Sequence, residues 1–136
     1  MGWSILNDKL KTVADTSHTA ERVLIVEDDP ATRSGLTELV RAWGFTAEEA
    51  ADGAEALEKV TAFRPSIVVT DLVMPRMSGR ELTEQIQVRL PGVPILCTSG
   101  FERRGTDDDE AYLAKPFTSQ ELLRHVKRML SVAAGE

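Results

Sequence analysis

The run Val23-Leu24-Ile25-Val26, closed at once by Glu27-Asp28-Asp29, constrains this chain more than any other feature. Four consecutive apolar residues, three of them β-branched and none alternating with polar ones, read as a strand covered on both faces, the condition of a strand inside a parallel sheet. The acids that follow place negative charge at the carboxyl end of that strand. From Arg22 onward such short apolar runs alternate with segments of helical period, which predicts an α/β domain of strands joined by crossover helices.

The remaining elements follow from the same reading. Asp29 is an N-cap with Pro30 at the first helical position, and Leu36, Leu39, Val40 and Trp43 share one helix face before Gly44 closes it. Residues 45–49 are the next expected strand, Asp52-Gly53 a turn, and residues 54–62 a second helix with Leu57 and Val60 inward. Ile67-Val68-Val69-Thr70 is the third strand and delivers Asp71 at its carboxyl end. Met74-Pro75 and Ser78-Gly79 mark a loop, and Ser78 with Glu81 forms a capping box for a helix carrying Leu82, Ile86 and Leu90, ended by Pro91-Gly92. A fourth strand over residues 93–97 delivers Thr98, and a short fifth over 111–114 delivers Lys115 and Pro116. Thr118 and Glu121 form a second capping box, and the last helix buries Leu122, Leu123, Val126, Met129 and Leu130, with His125 on its polar side.

Two regions depart from this repeat. Residues 99–110, with Gly100, Gly105 and four consecutive acids at 107–110, leave room for one or two helical turns at most, so a mobile loop is expected there. In the leader, residues 1–21, Trp3, Leu6, Leu10 and Val13 recur at helical spacing, which suits a frayed tail and a docked or dimer-forming helix equally. The expected organisation is an N-terminal extension over 1–21, one domain over 22–131 and a tail over 132–136.

Composition narrows the function. Twenty-two Asp and Glu against sixteen Lys and Arg give a net charge of −6, which argues against binding nucleic acid through phosphate neutralisation. No apolar stretch approaches the roughly 18 residues that span a membrane, and no basic segment precedes an apolar block at the N-terminus, so a cytoplasmic protein is expected. Cys97 is the only cysteine, is assigned no chemistry, and cannot form an internal disulfide; with His18 and His125 far apart in sequence, a structural zinc site is excluded.

In an open parallel sheet, ligands bind beyond the carboxyl ends of the strands. Glu27 and Asp28, Asp71, Thr98 and Lys115 all fall there. Clustered carboxylates repel one another and call for a cation, and an all-oxygen donor set without thiolate or imidazole favours Mg²⁺. The ammonium of Lys115 and the hydroxyl of Thr98 are donors suited to phosphoryl oxygens.

These residues resemble the receiver domains of two-component response regulators. The resemblance covers residues 22–131 and rests on VLIVEDDP at 23–30, VVTDLVMPRMSG at 68–79, PILCTSG at 94–100 and YLAKPF at 112–117, in family order. It implies a flavodoxin-like, doubly wound five-stranded sheet of order 2-1-3-4-5. It also implies that Asp71 is the phosphoacceptor, that Glu27, Asp28, Asp71 and the backbone carbonyl of Val73 serve Mg²⁺, that Thr98 is the switch hydroxyl, Lys115 the phosphate-binding lysine and Tyr112 the switch aromatic, and that the Lys115–Pro116 peptide is cis. The partner so implied is a sensor histidine kinase or a histidine phosphotransfer protein, met through the first helix over 31–43, where Arg33 and Thr37 are taken as exposed, and through the loop after Asp71. An unknown protein lies downstream, with no nucleic acid or membrane insertion, and the chain is a monomer or weak dimer.

Three departures from the family accompany the matches. The fourth helix is short or replaced by the 99–110 loop, so that phosphorylation ordering this loop is an alternative switch. Ser99-Gly100 after Thr98 resembles stand-alone and hybrid-kinase receivers, and no output domain is recognisable in the sequence. A Mg²⁺-dependent phosphatase with a strand-end Asp nucleophile needs a second Asp two positions later, where this chain has Val73, so a signalling receiver without steady turnover is expected. A degenerate receiver acting as a binding module would lack one of the acids, the Thr or the Lys, and a piece of a hybrid kinase remains a third reading.

Overall fold

The computed structural model describes residues 21–100 and 111–135. Five parallel strands, β1 (Arg22–Val26), β2 (Thr46–Ala50), β3 (Ile67–Asp71), β4 (Ile95–Ser99) and β5 (Tyr112–Ala114), form one sheet of order β2-β1-β3-β4-β5. Four helices are described: α1 (Pro30–Ala42), α2 (Gly53–Phe63), α3 (Gly79–Arg89) and α4 (Ser119–Ala133). The α/β class read from the sequence and the strand order implied by the resemblance are those observed. Of residues 99–110, expected to carry a mobile loop in place of a full fourth helix, Ser99 belongs to β4, and residues 101–110 lie outside the described residues, as does the leader through residue 20.

Alternation along the strands divides the core in two. Val23 and Ile25 of β1, Ile67 and Val69 of β3, Leu96 of β4 and Leu113 of β5 meet Val40 of α1 and Leu122, Val126 and Leu130 of α4. Leu24, Val26, Val68, Ile95 and Cys97 point to the other face, where Ala56 and Val60 of α2 and Leu82 and Ile86 of α3 cover them. Both faces of β1 are therefore dry, which is why its apolar residues run without a break. Leu36, Leu39, Trp43, Leu123 and Met129, expected inside, are partly buried against the first cluster, as Leu57 is against the second.

The caps stand where the sequence put them. The Asp29 carboxylate accepts from the Thr32 amide, and Ser78 with Glu81 and Thr118 with Glu121 form complete capping boxes. Capping fixes the direction in which each helix leaves the carboxyl edge of the sheet.

Several boundaries move. β4 begins two residues later than expected and includes Thr98 and Ser99, because both residues pair with β5 and are shielded from water: Thr98 is opposite Leu113 and Ser99 opposite Ala114. β2 begins at Thr46, which leaves Phe45 as a core residue before the strand, and β5 begins at Tyr112. α4 continues to Ala133, past the expected end of the domain at residue 131.

The expectation that Arg33 and Thr37 are exposed on the first helix is corrected. Thr37 is 1% exposed, and its hydroxyl donates to the Arg33 carbonyl 2.8 Å away, a back-bond that lets a polar residue face the core. The Arg33 side chain is 19% exposed and turned toward the acidic loop.

Candidate functional site

Three loops at the carboxyl edge of the sheet hold the site together. Beyond β1, the Glu27 amide donates to the Ala50 carbonyl at 3.1 Å, so the chain leaves the sheet only after Glu27. The Glu27 side chain is buried and accepts from the Asp29 amide at 3.1 Å. Asp28 is exposed. Asp29 is engaged as the N-cap, accepting from the Thr32 amide at 2.9 Å and the Thr32 hydroxyl at 2.7 Å, and these bonds lower its pKa. Glu27 thus spends one oxygen on the loop.

Asp71 ends β3, its side chain 12% exposed. The ladder extends past it, since the Leu72 amide donates to the Thr98 carbonyl at 2.8 Å. The Val73 amide points back at Asp71 Oδ1 at 3.4 Å, and the Val73 side chain faces solvent. Gly79, the first residue of α3, lies so close to this loop that a Cβ there would meet the Asp71 carbonyl oxygen at 2.6 Å and Leu72 Cα at 2.8 Å. The loop is also fastened sideways. Arg76, with φ of 69°, ion-pairs with Asp52, the N-cap of α2, and Met77 packs on Gly53. Nothing in the local sequence pattern announced this clasp.

Thr98 is the ladder partner of Asp71 and is 3% exposed. The Lys115 amide donates to the Ser99 carbonyl at 2.7 Å, and its Nζ lies 3.4 Å from Asp71 Oδ2 and 3.9 Å from Glu27 Oε1. The Lys115–Pro116 peptide is cis, as the resemblance implied. Tyr112 is half-buried beside a cavity of about 270 Å³ lined, among the described residues, by Leu72, Arg80, Thr83, Ile95 and Cys97.

Glu27, Asp28 and Asp71 each bring a carboxylate oxygen within 4.8 Å of the other two. Burial, followed by the charges of Asp71 and Asp28, pushes the Glu27 carboxyl up from 4.5, against the pull of the Asp29 amide and the Lys115 ammonium. A cation among these carboxylates would offset the repulsion that helps to raise Glu27. The donor set of oxygens, without sulfur or imidazole, fits a hard divalent ion such as Mg²⁺.

Of the residues singled out from the sequence at the strand ends, Glu27, Asp28, Asp71 and Lys115 converge here, Thr98 is the ladder neighbour of Asp71, and Tyr112 stands apart beside the cavity. Arg33 was missed in this role: its guanidinium donates to the Glu27 carbonyl at 2.8 Å and pairs with Glu49 Oε1 at 3.1 Å. The only available signal was its position five residues after Asp28, in the helix that the acidic loop starts.

A parallel sheet in 2-1-3-4-5 order, with an acidic triad and an ammonium at the carboxyl edge, defines a domain of the CheY-like receiver class. The response regulator receiver domain model matches residues 23–127, and the chain belongs to that family. Its members are phosphoacceptors in two-component signalling, and the acidic cluster described above fits their aspartate and magnesium site. Such domains are signalling modules, generally Mg²⁺-dependent, and imply a histidine kinase as partner.

Among curated relatives, the chain is 36% identical over 118 residues to the response regulator MprA of Mycobacterium ulcerans (strain Agy99), an alignment covering 80% of this chain and 50% of the relative. The chain therefore spans about half the length of the curated relatives it matches. Among solved structures, it resembles the receiver domain of the hybrid histidine kinase CckA, with 32% identity and a TM-score of 0.69 over 80% of this chain and 98% of that one. A putative response regulator from Chloroflexus aurantiacus J-10-fl is 31% identical, with a TM-score of 0.69 over 82% of this chain and 98% of that one. No helix among the described residues is long and apolar enough to cross a membrane.

Proposed function

We propose that Asp71 of this chain accepts a phosphoryl group from the phosphohistidine of a sensor kinase or histidine phosphotransfer protein, in a Mg²⁺-dependent reaction. The observation that carries this reading is the convergence of three carboxylates with the Lys115 ammonium at 3.4 Å from Asp71 Oδ2. Mg²⁺, when bound, would offset the negative charge gathered by the carboxylates and the incoming phosphoryl oxygens.

Asp28 and Asp71 would hold the cation directly, together with the Val73 carbonyl, and Glu27 through water. Asp71 supplies the nucleophilic oxygen: a bond forms from its carboxylate to phosphorus as the phosphorus–nitrogen bond to the donor imidazole breaks, and the departing imidazole takes up a proton. Lys115, already on Asp71, donates to the phosphoryl oxygens. Thr98, beside Asp71 in the ladder, donates its hydroxyl to another and draws the chain after Ser99 with it. Tyr112 then turns inward as the switch aromatic.

The chain slowly loses its phosphoryl group but does not turn over substrate as a phosphatase does, since Val73 stands where a general acid is needed. We assign residues 22–133 to the receiver, through the end of α4, 1–21 to an N-terminal extension and 134–136 to a tail. It works in the cytoplasm as a monomer or weak dimer, passing its signal to a downstream protein without binding nucleic acid. With Arg33 and Thr37 turned inward, the kinase meets the outer face of α1, where Ala31, Ser34, Gly35 and Glu38 are exposed, and the loop after Asp71.

Intact mass after incubation with acetyl phosphate and Mg²⁺ tests this reading. One phosphoryl group is expected, removed by hydroxylamine and absent both in Asp71→Asn and without metal. A folded wild-type chain that gains no adduct from acetyl phosphate or from any phosphorylated kinase would overturn it.

A further inference from the structure

We propose that Arg33 is a positioning residue for the metal-binding acids, holding the backbone from which Glu27 and Asp28 project. This rests on the reading of the acidic cluster as a cation site. The Arg33 guanidinium does not meet either of those carboxylates in the contacts observed. It engages the main chain of the loop instead, donating through Nη1 to the Glu27 carbonyl at 2.8 Å and, more weakly, to the Asp28 carbonyl at 3.5 Å. Its Nε is occupied by Glu49 Oε1 at 3.1 Å.

The arrangement fixes the loop at two levels. A carbonyl held in one orientation sets the plane of the peptide that follows it, and the planes on either side of Asp28 decide where its exposed carboxylate points. Glu49 belongs to β2, ladder-paired with Ile25 of β1, so the guanidinium is braced against the sheet rather than against solvent. The Arg33 amide in turn donates to the Asp29 carbonyl at 2.8 Å, which ties the same residue to the loop through its main chain. A planar fork can serve Glu49 and a carbonyl together, whereas a lysine ammonium on a flexible stem gives no such fixed pair of directions.

Charge alone and positioning predict opposite signs. A guanidinium near a cation site repels the cation, so if charge were its whole effect, removing it would tighten metal binding. If it positions the acids, removing it weakens binding, and a lysine that keeps the charge fails to restore it. Partners that orient metal ligands commonly change affinity by about 10- to 100-fold.

The test is Mn²⁺ binding to the full chain, read from the electron paramagnetic resonance signal of free Mn²⁺, for wild type, Arg33→Lys, Arg33→Gln, Glu49→Gln and Asp28→Asn. Thermal melts without metal accompany each. The expected result is a Kd raised about tenfold in both Arg33 variants and less in Glu49→Gln, in proteins that remain folded before metal is added. Unchanged binding in Arg33→Lys, or tighter binding in Arg33→Gln, overturns the positioning role and leaves the cation site standing. Wild-type uptake that Asp28→Asn does not reduce overturns the cation site and the positioning role together. Should Arg33→Gln fail to fold, Arg33→Lys and Glu49→Gln decide the question by the same readout.

Discussion

Lys115 Nζ stands 3.4 Å from Asp71 Oδ2 and is held there from both ends, by the ladder bond of its own amide to Ser99 and by a second carboxylate, Glu27. Its charge offsets part of the repulsion among the acids in the metal-free protein and competes there with an added cation. Replacing it therefore has two effects of opposite sign on binding and on chemistry. In Lys115→Met, Mg²⁺ affinity is expected to rise several-fold while the rate of acetyl phosphate labelling falls by about 100-fold, the usual loss when one donor to developing charge is removed. Calorimetric titration and an intact-mass time course measure the two separately.

Glu27 makes the metal-free domain less stable as pH rises. Its carboxyl is pushed up from 4.5 in the folded chain, mainly by burial. The native state therefore holds this proton where the unfolded state has released it, and stability falls as pH rises from 4.5 through the raised folded value. Asp29, Asp52 and Glu55 are lowered and contribute in the opposite direction, so the informative quantity is the difference between variant and wild type. Glu27→Gln is expected to melt higher than wild type at neutral pH without metal, with the gap closing toward pH 4.5. Mg²⁺ narrows the gap at neutral pH by stabilising wild type. Melts across pH, with and without Mg²⁺, test both statements.

Two glycines at helices respond oppositely to the same methyl group. At Gly79 a Cβ meets the Asp71 carbonyl at 2.6 Å, so Gly79→Ala is expected to cost about 1–3 kcal/mol and to slow labelling of Asp71. At Gly35, within α1, a Cβ meets nothing within 4 Å, and Gly35→Ala is expected to add about 0.5–1 kcal/mol. Urea denaturation of the pair distinguishes steric conflict from general intolerance of substitution.

Much of the fold is legible in the sequence because β1 and β3 are buried on both faces and show unbroken apolar runs. β4 is harder to frame. Its run begins early with Val93 and Pro94 and ends in two hydroxyl residues, which read as the end of a strand although both are paired and dry. The acids, Thr98 and Lys115 are legible for a topological reason: each lies at a strand's carboxyl end, and a parallel sheet gathers those ends. Arg33 and Thr37 are not. A helical period sorts residues as apolar or polar, and it cannot tell that Thr37 hides its hydroxyl on its own helix or that Arg33 bends back toward the loop behind it.

Arg76 tests how the loop after Asp71 keeps its shape. With φ of 69° it occupies a backbone region that a Cβ disfavours, and its ion pair with Asp52 holds it there. Arg76→Gly and Arg76→Ala both lose the pair, but the glycine keeps the conformation without the Cβ penalty. It is expected to be more stable than the alanine variant by about 1 kcal/mol, measured by chemical denaturation. Asp52→Asn keeps the cap and loses only the charge, so it separates the ion pair from the N-cap bond to Glu55.

The row of neighbours that runs from Asp71 to Thr98 to Leu113 crosses the sheet at right angles to the chain. Residues far apart in sequence become adjacent rungs, and the next residues, Ser99 and Ala114, fix where Lys115 leaves. The placement of Asp71, Thr98 and Lys115 is therefore written into strand register: main-chain rungs across the sheet, rather than nearness along the chain, assemble the reactive edge.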